Sequence, residues 1–108
     1  MPTLRFHAVE TADLLPVSEK MLHELMDIYQ VPADYINIEI VRSEFIVEGK
    51  VRAGFPMVEV CAFKRGDEVQ DAVARCVCEY LKKAGYPESE LYFSYPEPRS
   101  YYGNGEHY

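Results

Sequence analysis

Pro2 is a residue whose backbone nitrogen could become a cyclic base. Cutting the bond to Met1 would make that nitrogen a rigid secondary amine at the head of a strand. While the bond stands, it is an amide without basicity. A free α-amino group titrates at roughly 8, and an apolar pocket with a nearby cation lowers it towards neutrality, where a general base works best. Lys64 and Arg65 precede a helix start, a place suited to anion capture, or they are two solvated charges at a strand end. Tyr92 faces either a pocket or an inner packing surface. Tyr101, Tyr102, Asn104 and His107 combine aromatic bodies with polar tips, which suits a pocket mouth or a tail docked on a neighbour. Cys76 and Cys78 lie two apart on a helix and cannot face each other, and His7, His23 and His107 fit no ligand spacing, so no metal or cofactor is expected. Cys76 reads as core and Cys78 as surface.

These residues must be positioned by elements whose periods are plain. From Thr3 to Val9, Leu4, Phe6 and Ala8 alternate with polar neighbours, a strand with one face against a core. Asp13 is a candidate N-cap with Pro16 in the first turn, and Leu14, Val17, Met21, Leu22, Leu25, Met26 and Tyr29 form a helical stripe ending near Val31-Pro32. Tyr35 to Val41 reads as a second strand, and Phe45 to Val47 as a short extra one before a Glu48-Gly49-Lys50 turn. Pro56 opens a third main strand with Val58, Val60 and Ala62 on one face. Asp67 and Gln70 have capping-box spacing at the start of a helix running through Val69, Val73, Cys76, Val77, Tyr80 and Leu81, which Gly85 and Pro87 stop. Leu91, Phe93 and Tyr95 mark a fourth strand; the tail 96–108 has no period.

The chain repeats itself. Pro2, Leu4-Phe6-Ala8 and Asp13 lie over Pro56, Val58-Val60-Ala62 and Asp67 at a separation of 54, and Val31 to Ile38 lie over Tyr86 to Phe93 at 55. The expectation is a single α+β domain over 1–108: a duplicated βαβ unit, about 2–41 and 56–95, forming one mixed four-stranded sheet with both helices on one face. Met57, Cys61, Phe63 and Tyr92 then fall on the bare face, among Arg5, Glu59 and Asn37. That face is too apolar for water, so either several copies pack there, with the Phe45 to Val47 strand extending a neighbour's sheet, or the tail folds over it in a monomer. Arg5 is expected to pair with Glu39 or Glu59.

Composition narrows the class. The length of 108 residues suits one core, and 48% hydrophobic residues with no apolar run near the roughly 18 needed for a span point to a soluble protein outside the membrane. No secretory pattern is evident and the three cysteines cannot all pair, which points to the cytoplasm. A net charge of −7 argues against nucleic acid as a partner, while a small anionic substrate is compatible with a few cations lining a pocket.

Pro2, the doubled βαβ unit and the restart at Pro56 resemble the tautomerase superfamily of macrophage migration inhibitory factor and 4-oxalocrotonate tautomerase. Within it, Pro2 to Phe6, Val58-Glu59-Val60, Phe63 to Gly66, Glu68 to Asp71, Ser100 to Tyr102 and Asn104 to His107 are similar to a small uncharacterised bacterial family. The resemblance implies a homotrimer with the proline in a pocket between subunits, and keto-enol isomerisation of a small 2-oxo acid with Pro2 as base. It implies that Tyr92 is a pocket tyrosine, and with Lys64, Arg65, Tyr101 and Asn104 from the reading of the residues above, these five are the expected substrate-binding residues. It departs from the pattern at three cations: Val31 stands where the inhibitory factor has a lysine, and Ala12 and Asn37 where the oxalocrotonate enzyme has arginines. Ser94 replaces an asparagine. The alternative expectation is a non-catalytic trimeric scaffold or small-ligand-binding module.

Overall fold

The computed structural model describes residues 2–108; Met1, and with it the cleavage that would free Pro2, lies outside the described residues. Strand β1 (Thr3–His7) is followed by helix α1 (Thr11–Tyr29), β2 (Asn37–Val41), a hairpin of β3 (Phe45–Val47) and β4 (Lys50–Arg52), then β5 (Met57–Cys61), α2 (Asp67–Lys83) and β6 (Glu90–Ser94). The main sheet has the order β2-β1-β5-β6, with β1 parallel to β2, β5 parallel to β6, and the central pair antiparallel.

The alternation read from the sequence sets this architecture. Leu4 lies opposite Val60 and Phe6 opposite Val58, and all four are fully buried on one face. Met21 and Leu25 of α1, with Val73, Val77 and Leu81 of α2, complete the core against that face. The tight interior is a single apolar layer between sheet and helices, with no buried polar side chain among the described residues.

The two halves repeat in structure, β1 and β5 at the offset of 54 read from sequence and β2 and β6 not at 55. β1 and β5 share one burial pattern and β2 and β6 another. The carbonyl of Pro2 accepts the Asn37 N–H at 2.9 Å, and the carbonyl of Pro56 accepts the Glu90 N–H at 3.0 Å. The equivalent residues are therefore Asn37 and Glu90, 53 apart, rather than Asn37 and Tyr92. A slip of two residues keeps every side chain on the same face, so alternation alone cannot reveal it.

Element ends also differ from expectation: Tyr35 falls in a 3-10 turn, Ala33–Tyr35, so β2 begins only at Asn37, and three further differences have a tertiary cause. β1 stops at His7 because Ala8 takes a left-handed conformation, φ 60°. Helix α1 begins at Thr11 with Glu10 as N-cap, and Asp13 caps nothing: Tyr86 donates its hydroxyl to the Asp13 carboxylate at 2.6 Å and accepts the Glu10 N–H at 2.9 Å. Pro16 consequently lies inside the helix rather than in its first turn. At α2 the N-cap is Gly66, with φ 94°, and the capping box does not form, because the Gln70 side chain is paired with the Tyr95 hydroxyl. The tail, which has no sequence period, folds into a small hairpin, β7 (Tyr102–Gly103) and β8 (Glu106–His107).

Three core groups make the fold sensitive to alkali. Burial pushes the Tyr29 phenol up to about 12, and burial with a hydrogen bond to Glu24 pushes the Cys76 thiol to about 12. The Tyr80 hydroxyl donates to Glu24 at 2.6 Å, and that bond, followed by burial, takes it to about 12. Each pKa is higher folded than unfolded, so the stabilisation is complete below the unfolded values of roughly 8.5 for Cys and 10 for Tyr. It is lost as pH climbs from there through about 12. Denaturant midpoints measured from pH 8 to 11.5 should fall across this window, and Tyr29→Phe should flatten the fall; a curve identical to the unsubstituted chain's would remove Tyr29 from the cause.

Candidate functional site

The first residue of the described chain is held at one end of the sheet. Pro2 is fully buried, its carbonyl is tied to β2 through Asn37, and Thr3 lies opposite Cys61. The antiparallel register therefore brings the head of β1 beside the end of β5, where Ala62, Phe63, Lys64 and Arg65 follow. The Ala62 N–H donates to the Ser94 carbonyl at 3.1 Å, so β6 runs alongside the same end.

The tail closes on this corner. Tyr101 and Tyr108 pack on Phe63 with ring centroids 5.1 and 5.8 Å away, and on each other at 5.3 Å. The Phe63–Tyr101 and Tyr101–Tyr108 pairs are edge-to-face, a favoured geometry for aromatic rings. The structure thus gathers Pro2, Lys64 and Tyr101 at one end of the sheet. Of the bare-face residues, it is Phe63 that the aromatic tail covers, while Tyr92 remains 48% exposed.

Lys64 and Arg65 are exposed but engaged. The Lys64 ammonium lies 5.8 Å from the Tyr95 ring centre, and the Arg65 guanidinium 5.0 Å from that of Tyr29. Burial raises the Tyr29 phenol, and Arg65 partly offsets this. Burial also raises Tyr95, reinforced by Asp67. The cleft between Tyr29, Phe63, Arg65, Gly66, Gln70 and Tyr95 holds only about 10 Å³, space for about one water at most. Asp67 and Glu68 occupy the first turn of α2, where their charge competes with any anion for the helix dipole. Sequence reasoning missed Tyr29 and Tyr95 as partners of these cations, because both satisfied the helix and strand periods and no spacing marks a cation over a ring.

Two other candidates stand apart from Pro2 within the chain. Tyr92 lies opposite Glu59, which lies opposite Arg5, about 10 Å along the strand direction from Pro2. It borders a hollow of about 370 Å³ with Met57, Glu90 and Leu91 at the β6 edge. Asn104 is at the tip of the tail hairpin, where it and Gly105 have φ 52° and 85°, the left-handed pair that a tight hairpin turn requires. Arg5 meets both expected partners, Glu39 at 2.9 Å and Glu59 at 3.6 Å. Burial works against its charge, but the two carboxylates outweigh it and raise the guanidinium above its ordinary value. Cys76 is buried and Cys78 half-buried. Among the described residues no cluster of His, Cys, Asp and Glu could hold a metal, and no helix is long and apolar enough to cross a membrane.

Residues 1–107 match the model of the family described as Domain of unknown function (DUF1904). The chain belongs to the DUF1904 family. Comparison with curated proteins finds no match. The crystal structure of a DUF1904 domain from Sebaldella termitidis is 29% identical over the whole of both chains, with a TM-score of 0.90. More distant in sequence, a fused 4-OT wild type asymmetric trimer is 11% identical over 97% of this chain and 94% of its own, with a TM-score of 0.80. A macrophage migration inhibitory factor-like protein from Entamoeba histolytica is 12% identical over 99% and 98%, with a TM-score of 0.69. The DUF1904 chain therefore has the α+β fold of the 4-OT and macrophage migration inhibitory factor proteins, with the two βαβ halves arranged in one mixed sheet.

Proposed function

We propose that this DUF1904 chain is a tautomerase in which Pro2, freed from Met1, is the general base for keto-enol isomerisation of a small 2-oxo acid. The observation that carries the reading is the position of Pro2, buried at the head of a central strand, at the sheet end where β5 runs on to Phe63 and Lys64 and the Tyr101 tail packs. The likeness to a fused 4-OT supports the fold on which such a site is built. In this reading the amine takes a proton from the carbon next to the carbonyl and returns it to the oxygen, so the keto acid becomes its enol with no atom gained or lost. An apolar wall that excludes water keeps the amine unprotonated near neutrality. Lys64 or Arg65 leaves its ring to meet the carboxylate, with Tyr101 at the mouth.

Self-association is part of the proposal. The fused 4-OT is a trimer, and the half-exposed Tyr92 face with Met57 and Cys61 needs a cover that the tail supplies only at Phe63. A homotrimer would bring a neighbour's Tyr92 towards the proline end. The second reading is a ligand-binding module without turnover. It is favoured by the ring-bound cations and the acidic first turn of α2.

The intact mass of the protein made in its native cytoplasm tells whether Met1 is removed. Assay of the processed chain with enol phenylpyruvate and 2-hydroxymuconate then separates the two readings: proline-dependent turnover defeats the binding module, and its absence with retained ligand binding defeats the enzyme. A monomeric mass at micromolar concentration would remove the intersubunit site from both.

A further inference from the structure

Between helices α1 and α2, on the side turned away from the sheet, lies an open hollow of about 370 Å³. Glu24 and Ile28 line it from α1, and Ala72, Arg75, Glu79 and Lys83 from α2. Its floor is made by two side chains that are each only 5% exposed, Cys76 and Tyr80. The residues that pack on the sheet, Leu25 and Val77 among them, take the opposite side of the helices. Assembly through the bare sheet face would therefore leave this hollow in solvent, and neither Pro2 nor the Lys64-Arg65 pair contributes to it.

Both floor residues serve one acceptor. The Tyr80 hydroxyl donates to the Glu24 carboxylate at 2.6 Å, and the Cys76 thiol bonds to the same group. A carboxylate has about four lone-pair sites, so two donors fix its position and leave accepting capacity free. Among the described residues no cation forms an ion pair with Glu24, and Arg75 forms none with any carboxylate. The other two charges are engaged: Glu79 pairs with Lys82 at 3.4 Å, and the Lys83 ammonium stands 4.7 Å from the Tyr80 ring centre. One carboxylate on α1 and one guanidinium on α2 thus line the same hollow uncompensated.

That combination selects a ligand by charge. A lone anion drawn to Arg75 also meets Glu24 and Glu79, and a lone cation drawn to Glu24 also meets Arg75 and Lys83, so each is repelled by half of the lining. A molecule carrying both signs gains from both fixed charges. The planar fork of Arg75 matches a carboxylate, and the free lone pairs of Glu24 match an ammonium. Ile28 and Ala72 add an apolar patch, and the volume lies near the lower end of the roughly 300–1,000 Å³ of small-molecule sites. We propose that the α1/α2 hollow binds a free α-amino acid with an apolar side chain, its carboxylate on Arg75, its ammonium on Glu24 and its side chain over Ile28 and Ala72. The site is separate from the one built on Pro2 and does not depend on turnover there.

Titration of the isotope-labelled full chain with L-leucine, followed through its amide NMR spectrum, tests the site. The expected result is a saturable shift of the amides around Glu24, Ile28, Ala72 and Arg75. L-leucinamide lacks the carboxylate and isocaproate lacks the ammonium, so each should bind roughly tenfold more weakly or worse, the value of one hydrogen bond to a charged group. Arg75→Gln and Glu24→Gln, both at exposed positions, should weaken leucine by a similar factor with the circular dichroism unchanged. The analogue series on the unsubstituted chain keeps the test decisive if either variant folds poorly. Absence of a saturable shift with leucine, equal affinity for leucine and either analogue, or full binding by a folded Arg75→Gln chain would each overturn the site. None of these results bears on Pro2, so the two proposals fail separately.

Discussion

Exchange of Pro2 for alanine in the processed chain is expected to lower the rate of enol-keto conversion by roughly 10²–10⁴-fold, the contribution of one positioned general base. A secondary amine closed into a ring cannot turn away from its strand, and the Pro2 carbonyl is tethered to the Asn37 N–H at 2.9 Å. Alanine leaves a primary amine at the same place but frees its rotation and, without the ring, its burial. The loss should appear in kcat, because the proton moves only in the transition state, while KM changes little. Steady-state rates of both proteins on enol phenylpyruvate, each with Met1 removal verified by mass, check this. Equal rates take Pro2 out of the mechanism. Pro56 is the internal control: its nitrogen stays in a peptide bond, so Pro56→Ala should leave the rate unchanged.

The largest effect on stability is expected at Phe6. It is fully buried in β1, which has neighbours on both sides, and it lies opposite Val58 and Ile40. Truncation to alanine removes the ring from a layer that both helices cover, and the strand scaffold cannot collapse to fill the space. The cost should be about 3–5 kcal/mol, from the lost transfer energy and the cavity together. Urea denaturation with an unchanged slope and a lower midpoint is the check; a loss below about 1 kcal/mol would mean that the core repacks. Because Phe6 lies on the helix side, the variant should also weaken the proline end only in proportion to the unfolded fraction.

The parts of the fold that were legible from sequence are those with a period. Leu4-Phe6 and Val58-Val60 alternate, and Val69 to Leu81 recurs every three or four residues; these patterns survive because burial of one face outweighs every competing local preference. The caps were not legible. Asp13 and Gln70 have the chemistry of capping residues, but Tyr86 and Tyr95 take their side chains from positions 73 and 25 residues away. The repeat was recognisable and its second offset was not, since strands slipped by two residues present the same faces.

The candidate site divides in the same way. Amino-acid type alone makes Pro2 a potential base, marks Lys64 and Arg65 as the cations nearest a helix start, and distinguishes Pro56 as a proline that cannot become an amine. Tertiary structure decided the rest, because it depends on which strand ends meet. The antiparallel β1–β5 register sets Pro2 at the sheet end where β5 runs on towards Phe63 and Lys64, Tyr95 and Tyr29 receive the two cations, and the hairpin turn accounts for Asn104. Periodicity is a property of one segment facing a core and can be read along the chain. Pairings between segments depend also on register and on closing long loops, which the period along any one segment does not report.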